Sequence, residues 1–285
     1  MARKKLSKTS NKQCFSEKES EENLVKKVAD TSNLAKLVVF TVKYPIHTKN
    51  STQKIPLTFF IHSGACVTLI NWSTYREIGS PELKETSKKI FPYSATKPMV
   101  LLGKYTATFR YCKTKVDENI YVVAEDYNSP CIMGRSASEK LGILKIDPST
   151  SMKWSSFFSN VLKCRDDEKR PATEVIRLRN TKLEFLVSSG AIVTLIDRLT
   201  YAKIGSPALT QTDLVIFTYT AKKPLVLLGK FETILARAEF TSRTSVYVAD
   251  VKKPSCVLSK SVSEELGLLK LRPNYFHFEF SYILL

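Results

Sequence analysis

Short runs of β-branched and aromatic residues, broken by glycine, proline or charged clusters, recur along this 285-residue chain. Runs of that kind predict strands. Leu37–Val42 is the first, and Ile55–Ile61 the second, with Pro56 early in it, where a strand tolerates proline. Cys66–Ile70 predicts a third strand, and Ser73–Ile78 one or two helical turns ended by Gly79 and Pro81. Met99–Gly103 and Tyr105–Tyr111 read as two strands turned at Gly103-Lys104, and Asn119–Val123 as another. Ser136–Leu141 predicts a short helix closed by Gly142. From Glu174 the same order returns, with Leu183–Val187 as its opening strand. Near the end, Phe276–Tyr282 alternates apolar and polar residues with period two, which predicts a strand with one apolar face.

The order returns because the sequence does. Residues 62–70 read His-Ser-Gly-Ala-Cys-Val-Thr-Leu-Ile, and residues 188–196 read Ser-Ser-Gly-Ala-Ile-Val-Thr-Leu-Ile, an offset of 126. Tyr75 matches Tyr201, Ile78–Pro81 matches Ile204–Pro207, Lys97-Pro98 matches Lys223-Pro224, and Leu101–Lys104 matches Leu227–Lys230. Tyr121 matches Tyr247; the offset then falls to 125, with Cys131 on Cys256 and Leu141-Gly142 on Leu266-Gly267. The missing residue falls opposite Glu125–Asn128, a natural loop position. A unit of this length is a whole small domain, not a solenoid repeat. The ordered match points to tandem duplication. The chain reads as all-β: two barrel-like copies, each with one or two short helices.

The predicted layout is a basic arm over 1–36, repeat 1 over 37–148, a linker over 149–173, repeat 2 over 174–272 and a C-terminal strand or tail over 273–285. Within the arm, Glu21–Val28 predicts a short helix capped by Ser20. Charge adds one possibility: 44 basic against 27 acidic residues give a net +17, which suits a polyanionic partner such as nucleic acid. The lysines are scattered as pairs such as Lys88-Lys89 and Lys252-Lys253, as on an ordinary solvated surface. Cys14, Cys66, Cys112, Cys131, Cys164 and Cys256 show no Cys-x-x-Cys spacing, so neither a metal site nor a cofactor is expected. Cys131 and Cys256 are equivalent and predict the same apolar slot in each copy; free buried thiols suit a reducing, intracellular compartment, cytoplasmic or nuclear. The polar first twenty residues do not read as a signal peptide. No apolar stretch reaches the ~20 residues of a membrane helix.

An apolar strand, a Ser-Gly-Ala loop, a second apolar strand, a tyrosine in a helical turn, a hairpin region and then apolar-apolar-Gly-Arg before a short helix form an ordered set. In repeat 1 these are Phe60-Ile61 into His62-Ser63-Gly64-Ala65, Tyr75, Tyr93–Leu102 and Ile132-Met133-Gly134-Arg135. Each copy thereby resembles a retropepsin domain, the aspartic protease of retroviruses and gypsy-type retrotransposons. Repeat 2 keeps Ser189-Gly190-Ala191 and Leu266-Gly267 but has Ser259-Lys260 in place of Gly-Arg. The resemblance covers roughly residues 37–147 and 174–271. It implies a retropepsin-like barrel in each copy and pairing of the two copies within one chain, with Ser63 and Ser189 locking the loops together. It also implies aspartic endopeptidase activity as the family's chemistry.

That chemistry needs two carboxylates sharing a proton, one as general base on water and one as proton donor. His62 and Ser188 occupy the two dyad positions, so no catalytic residue is intact. Asn71 and Asp197 lie nine residues further on, past the strand, and do not replace the dyad. A His62–Ser188 nucleophile–base pair would lack an orienting acid and an oxyanion hole. The sequence thus predicts a catalytically inactive pseudoprotease, derived from a retroelement, holding a peptide or partner between the repeats. The alternative is a basic, nucleic-acid-associated fragment of a retroelement polyprotein, with the 1–36 arm doing the binding.

Overall fold

Two closed barrels carry the chain's loops and hairpins. The computed structural model describes residues 39–48, 51–93, 95–124, 129–147, 172–219, 221, 223–251, 256–271 and 277–281. The arm with its Glu21–Val28 helix, nearly all of the linker, Cys14 and Cys164 lie outside the described residues.

The first barrel contains β1 (Val39–Thr48), β2 (Ser51–His62), β3 (Thr68–Ile70), α1 (Trp72–Glu77), β4 (Leu101–Tyr111), β5 (Thr114–Val123), β6 (Cys131–Gly134) and α2 (Arg135–Lys140), followed by β7 (Leu144–Ile146). The second contains β8 (Thr173–Leu178), β9 (Thr181–Val187), β10 (Thr194–Asp197), α3 (Arg198–Lys203), β11 (Leu227–Arg237), β12 (Phe240–Ala249), β13 (Val257–Leu258) and α4 (Lys260–Glu265), followed by β14 (Leu269–Leu271). The strand β8 begins at Thr173, one residue inside the predicted linker. The last strand, β15 (His277–Ser281), belongs to the first barrel.

Strand order is β1-β15-β4-β5-β3-β6-β2 in the first barrel and β10-β12-β11-β8-β9-β13 in the second. The difference lies at one seam. In the second barrel β8 pairs directly with β11, through Leu178↔Leu235 and Arg177↔Ala236. In the first, β15 stands between the corresponding strands, parallel to β1 (Thr41↔His277) and antiparallel to β4 (Phe109↔Phe280). Outside the barrels, β7 and β14 form a two-stranded antiparallel sheet that joins the ends of the repeats. Arg237 adds to this join, donating to the carbonyls of Leu266 and of Asp147.

Gly103 does not turn the chain as its sequence context predicts. The strand β4 runs through it to Tyr111, and the turn to β5 falls at Cys112-Lys113, with Cys112 at φ +52°. Gly103 sits instead at a register shift, at φ +154°, where a Cβ would lie 2.9 Å from the Lys84 carbonyl oxygen. Glycine is used there because a second backbone approaches and bridges to Lys104. Gly229 repeats the arrangement against Thr210.

The helices start on matched caps. Asn71 Oδ1 accepts from the Thr74 amide at 2.8 Å, and Asp197 Oδ1 from the Thr200 amide at 2.9 Å. Tyr75 and Tyr201 each donate to a proline carbonyl, Pro81 and Pro207, at 2.7 Å. Phe59, Phe109 and Met133 fill the first barrel and Phe185, Val248 and Leu258 the second, all fully buried. Phe59 and Phe109 meet edge to face at 5.7 Å. Each such side chain contributes on the order of 2 kcal/mol by leaving water. One connected apolar cluster spans both barrels, and Leu37–Leu285 form one compact unit.

Cys131 and Cys256 do occupy the same slot, but it is polar on one side: their thiols lie 3.4 Å from Thr74 Oγ1 and 3.6 Å from Thr200 Oγ1. Burial pushes both thiols up, Cys256 to about 12. These two and Cys112 are free, whereas Cys66 is in a disulfide.

Candidate functional site

Each Ser-Gly-Ala loop is delivered by a strand paired in parallel with the strand that leads into a short helix. The strand β2 pairs in parallel with β6, ending at His62↔Gly134, and β9 pairs in parallel with β13, ending at Val187↔Leu258. Each loop then folds back over a short turn, with Ala65 N–H donating to the His62 carbonyl at 3.0 Å and Ala191 N–H to that of Ser188 at 3.5 Å. The start of the following helix holds it there: Arg135 N–H donates to the Ala65 carbonyl at 2.8 Å and Lys260 N–H to that of Ala191 at 2.9 Å. The substitution of Ser-Lys for Gly-Arg leaves this device in place. Ser259 caps α4 by accepting from the Val262 amide, and Lys260–Glu264 spans the same one-turn spacing as Arg135–Glu139.

The two loops meet. Ser63 N–H donates to Ser189 Oγ at 2.8 Å, and Ser189 N–H donates to Ser63 Oγ at 2.7 Å. Each hydroxyl also donates across, Ser63 Oγ to the Val187 carbonyl at 2.8 Å and Ser189 Oγ to the Ile61 carbonyl at 2.7 Å. Both serines are buried. Four short reciprocal bonds in a dry site form a fully satisfied network, the kind that fixes one geometry.

His62 lies across this junction. Its Nδ1 accepts from its own Gly64 amide at 3.0 Å, so the neutral ring carries its proton on Nε2. The other edge of the ring rests on the opposite loop: a Cβ built on Gly190 would fall 2.5 Å from Cδ2 and 2.7 Å from Nε2. Glycine on both loops is what admits the imidazole. Burial lowers the His62 pKa to about 4, against a smaller opposing effect of its backbone hydrogen bond. Ser188 is buried nearby. No hydrogen bond joins His62 to Ser188, and neither Nε2 nor the serine Oγ has a partner among the described residues. The structure therefore does not assemble the serine–histidine pair considered from the sequence. Asn71 and Asp197 act as helix caps, away from the loops.

Above the loops lies a cleft of about 170 Å³. Its walls come from both repeats and are apolar, with Leu69 and Ile132 on one side and Leu186, Leu195 and Val257 on the other. Its roof is a pair of hairpins, closed by Met99 N–H to the Ile90 carbonyl at 2.8 Å and by Leu225 N–H to the Ile216 carbonyl at 2.7 Å. Two roof residues escaped the sequence reading, Tyr219 altogether and Tyr93 as more than the start of a hairpin. Each crosses to the other repeat. Tyr219 packs on the cluster containing Ala65, Leu69 and Ile132 and donates to the Pro130 carbonyl at 3.1 Å, while Tyr93, like Ala191, packs against Leu186 and Val257. Burial pushes the Tyr219 hydroxyl up. The signal was available, since 93 and 219 differ by the repeat offset of 126. Gly64, Ala65, Gly190 and Ala191 of the loops line the cleft.

Among the described residues no group of three His, Cys, Asp or Glu could hold a metal ion, and no helix is long and apolar enough to cross a membrane.

The fold and site together define an all-β chain with two barrels whose Ser-Gly-Ala loops are bonded to one another. Among solved structures it is similar to the EIAV protease in complex with the inhibitor HBY-793, at 17% identity over 37% of this chain and 95% of that one, with a TM-score of 0.32. No family model matches the chain, and no curated protein matches it.

Proposed function

We propose that this chain is a duplicated, retroelement-derived retropepsin-like protein that has lost proteolysis and holds a peptide or partner segment between its two repeats. The observation that carries the reading is the reciprocal Ser63–Ser189 junction beneath a two-walled cleft. In a retropepsin-like arrangement that junction sits beside the carboxylates. Here the adjacent positions are His62 and Ser188, and no Asp or Glu is among the described residues that line the cleft. Without a carboxylate pair there is no group to deprotonate the attacking water and no acid to protonate the carbonyl oxygen. The neutral imidazole does not replace the base, because its Nδ1 is occupied by the Gly64 amide and its Nε2 carries the proton. Ser188 has no base among the described residues within hydrogen-bond distance.

Extended peptides enter this cleft only when the hairpin roof lifts, which breaks the Tyr219–Pro130 bond. The test has two arms. The purified chain is incubated with a mixed peptide library from pH 3 to 8, and binding of fluorescently labelled extended peptides is measured in parallel. Saturable binding without cleavage supports the reading. Cleavage inhibited by pepstatin, or the absence of any peptide binding, overturns it.

A further inference from the structure

The floor of the closed cleft offers two hydrogen-bonding atoms that no described residue engages. Nε2–H of His62 is a fixed donor, because Nδ1 is already occupied by the Gly64 amide. Oγ of Ser188 belongs to a residue only 2% exposed that borders the cleft, and it has no partner among the described residues. Buried polar groups are ordinarily satisfied, and one facing a cavity is satisfied by whatever the cavity holds. The rest of the described lining is apolar apart from Thr218 and the ring-bearing Tyr93 and Tyr219, and no Lys, Arg, Asp or Glu is among the described residues that border the space. With both hairpins closed the volume is about 170 Å³, close to that of a cavity able to hold one benzene ring, about 150 Å³.

We propose that the closed cleft binds one uncharged, ring-sized ligand bearing a hydrogen-bond acceptor, such as an aromatic amide, with the acceptor on His62 Nε2 and Ser188 Oγ and the ring among Leu69, Ile132, Leu186 and Val257. Three features select this class. The volume excludes an extended peptide while the roof is shut. The apolar walls favour a ring over a small polar molecule. The lack of any charged side chain among the described lining residues disfavours an ion, which would lose its hydration without compensation. The site uses the same cleft as the reading above but needs no peptide, so the two stand or fall separately.

The experiment titrates the intact chain with benzamide, benzoate and acetamide by isothermal calorimetry and follows the His62 Cε1–H resonance. Saturable benzamide binding is expected, with benzoate and acetamide at least tenfold weaker, or about 1.4 kcal/mol. Benzamide should shift the His62 resonance. Removing the Ser188 hydroxyl (Ser188→Ala) should weaken benzamide about fivefold, and filling the cleft from its rim (Ala191→Leu) should abolish binding. Comparable affinity for all three probes, no saturable benzamide binding, or benzamide binding unchanged in both folded variants would overturn the proposal. The His62 resonance in the unaltered chain decides the matter if a variant does not fold. Extended-peptide binding with no benzamide site would sink this inference alone; benzamide binding without any peptide binding would sink only the pseudoprotease reading.

Discussion

Acid should weaken this protein through one imidazole. His62 is held neutral between Gly64 and Gly190, and no charged side chain among the described residues borders the cleft to stabilise an imidazolium. Its pKa falls from 6.5 to about 4 on folding. The unfolded chain therefore takes up a proton on this residue at a higher pH than the folded chain does. The contribution to stability is complete above pH 6.5, declines as the pH falls, and is lost by about pH 4. A shift of this size corresponds to at most about 3 kcal/mol, and the partial exposure of the ring brings the expected value nearer 2 kcal/mol. Replacing His62 with glutamine removes the titration while keeping an acceptor for the Gly64 amide. Urea unfolding followed by circular dichroism, at pH 7, 6, 5 and 4, isolates the effect as the difference between the two proteins. The variant should gain about 2 kcal/mol relative to the parent between pH 7 and pH 4. A difference that stays constant across the range would refute the placement of a neutral imidazole between the loops.

Other substitutions probe the same region. Ser63→Ala removes one acceptor and one donor from the loop junction and strands the Ser189 amide and the Val187 carbonyl, so urea unfolding should show a loss of about 3 kcal/mol; adding Ser189→Ala should cost less than the sum of the single changes. Gly134→Ala places a Cβ 2.6 Å from the Val67 backbone, which cannot yield as a side chain can. It should lower the melting temperature more than Gly190→Ala, where the obstacle is the His62 ring. Tyr219→Phe removes the bond to Pro130; at a cost of about 1 kcal/mol, limited proteolysis should then cut the 214–226 hairpin faster.

Much of the β-structure was legible because β-branched runs such as Leu57–Ile61 and Leu183–Val187 have few other uses. The caps were less so: Asn71 and Asp197 looked like stray acid-or-amide positions until the helices they start were in view. Gly103 misled because glycine serves turns and bulges alike, and the deciding contact comes from Lys84, far along the chain. The two Ser-Gly-Ala loops were legible from the repeated phrase, but not the resting place of the His62 ring. That depends on Gly190, 128 residues away. The crossing of Tyr93 and Tyr219 was hidden for a related reason, since a repeat offset says which residues correspond and not which half each one touches.

The seventh strand of the first barrel has a consequence for how the chain is made. Residues 277–281 are translated after the whole of the second repeat, yet they fill the seam between β1 and β4. Until they emerge from the ribosome, the earlier barrel has an open edge with unpaired amides and carbonyls on both sides of the gap. The second barrel, closed by its own strands, has no such delay. Completion therefore runs against the direction of synthesis: the half made first is finished last, and a nascent chain stalled before residue 277 carries a sticky edge.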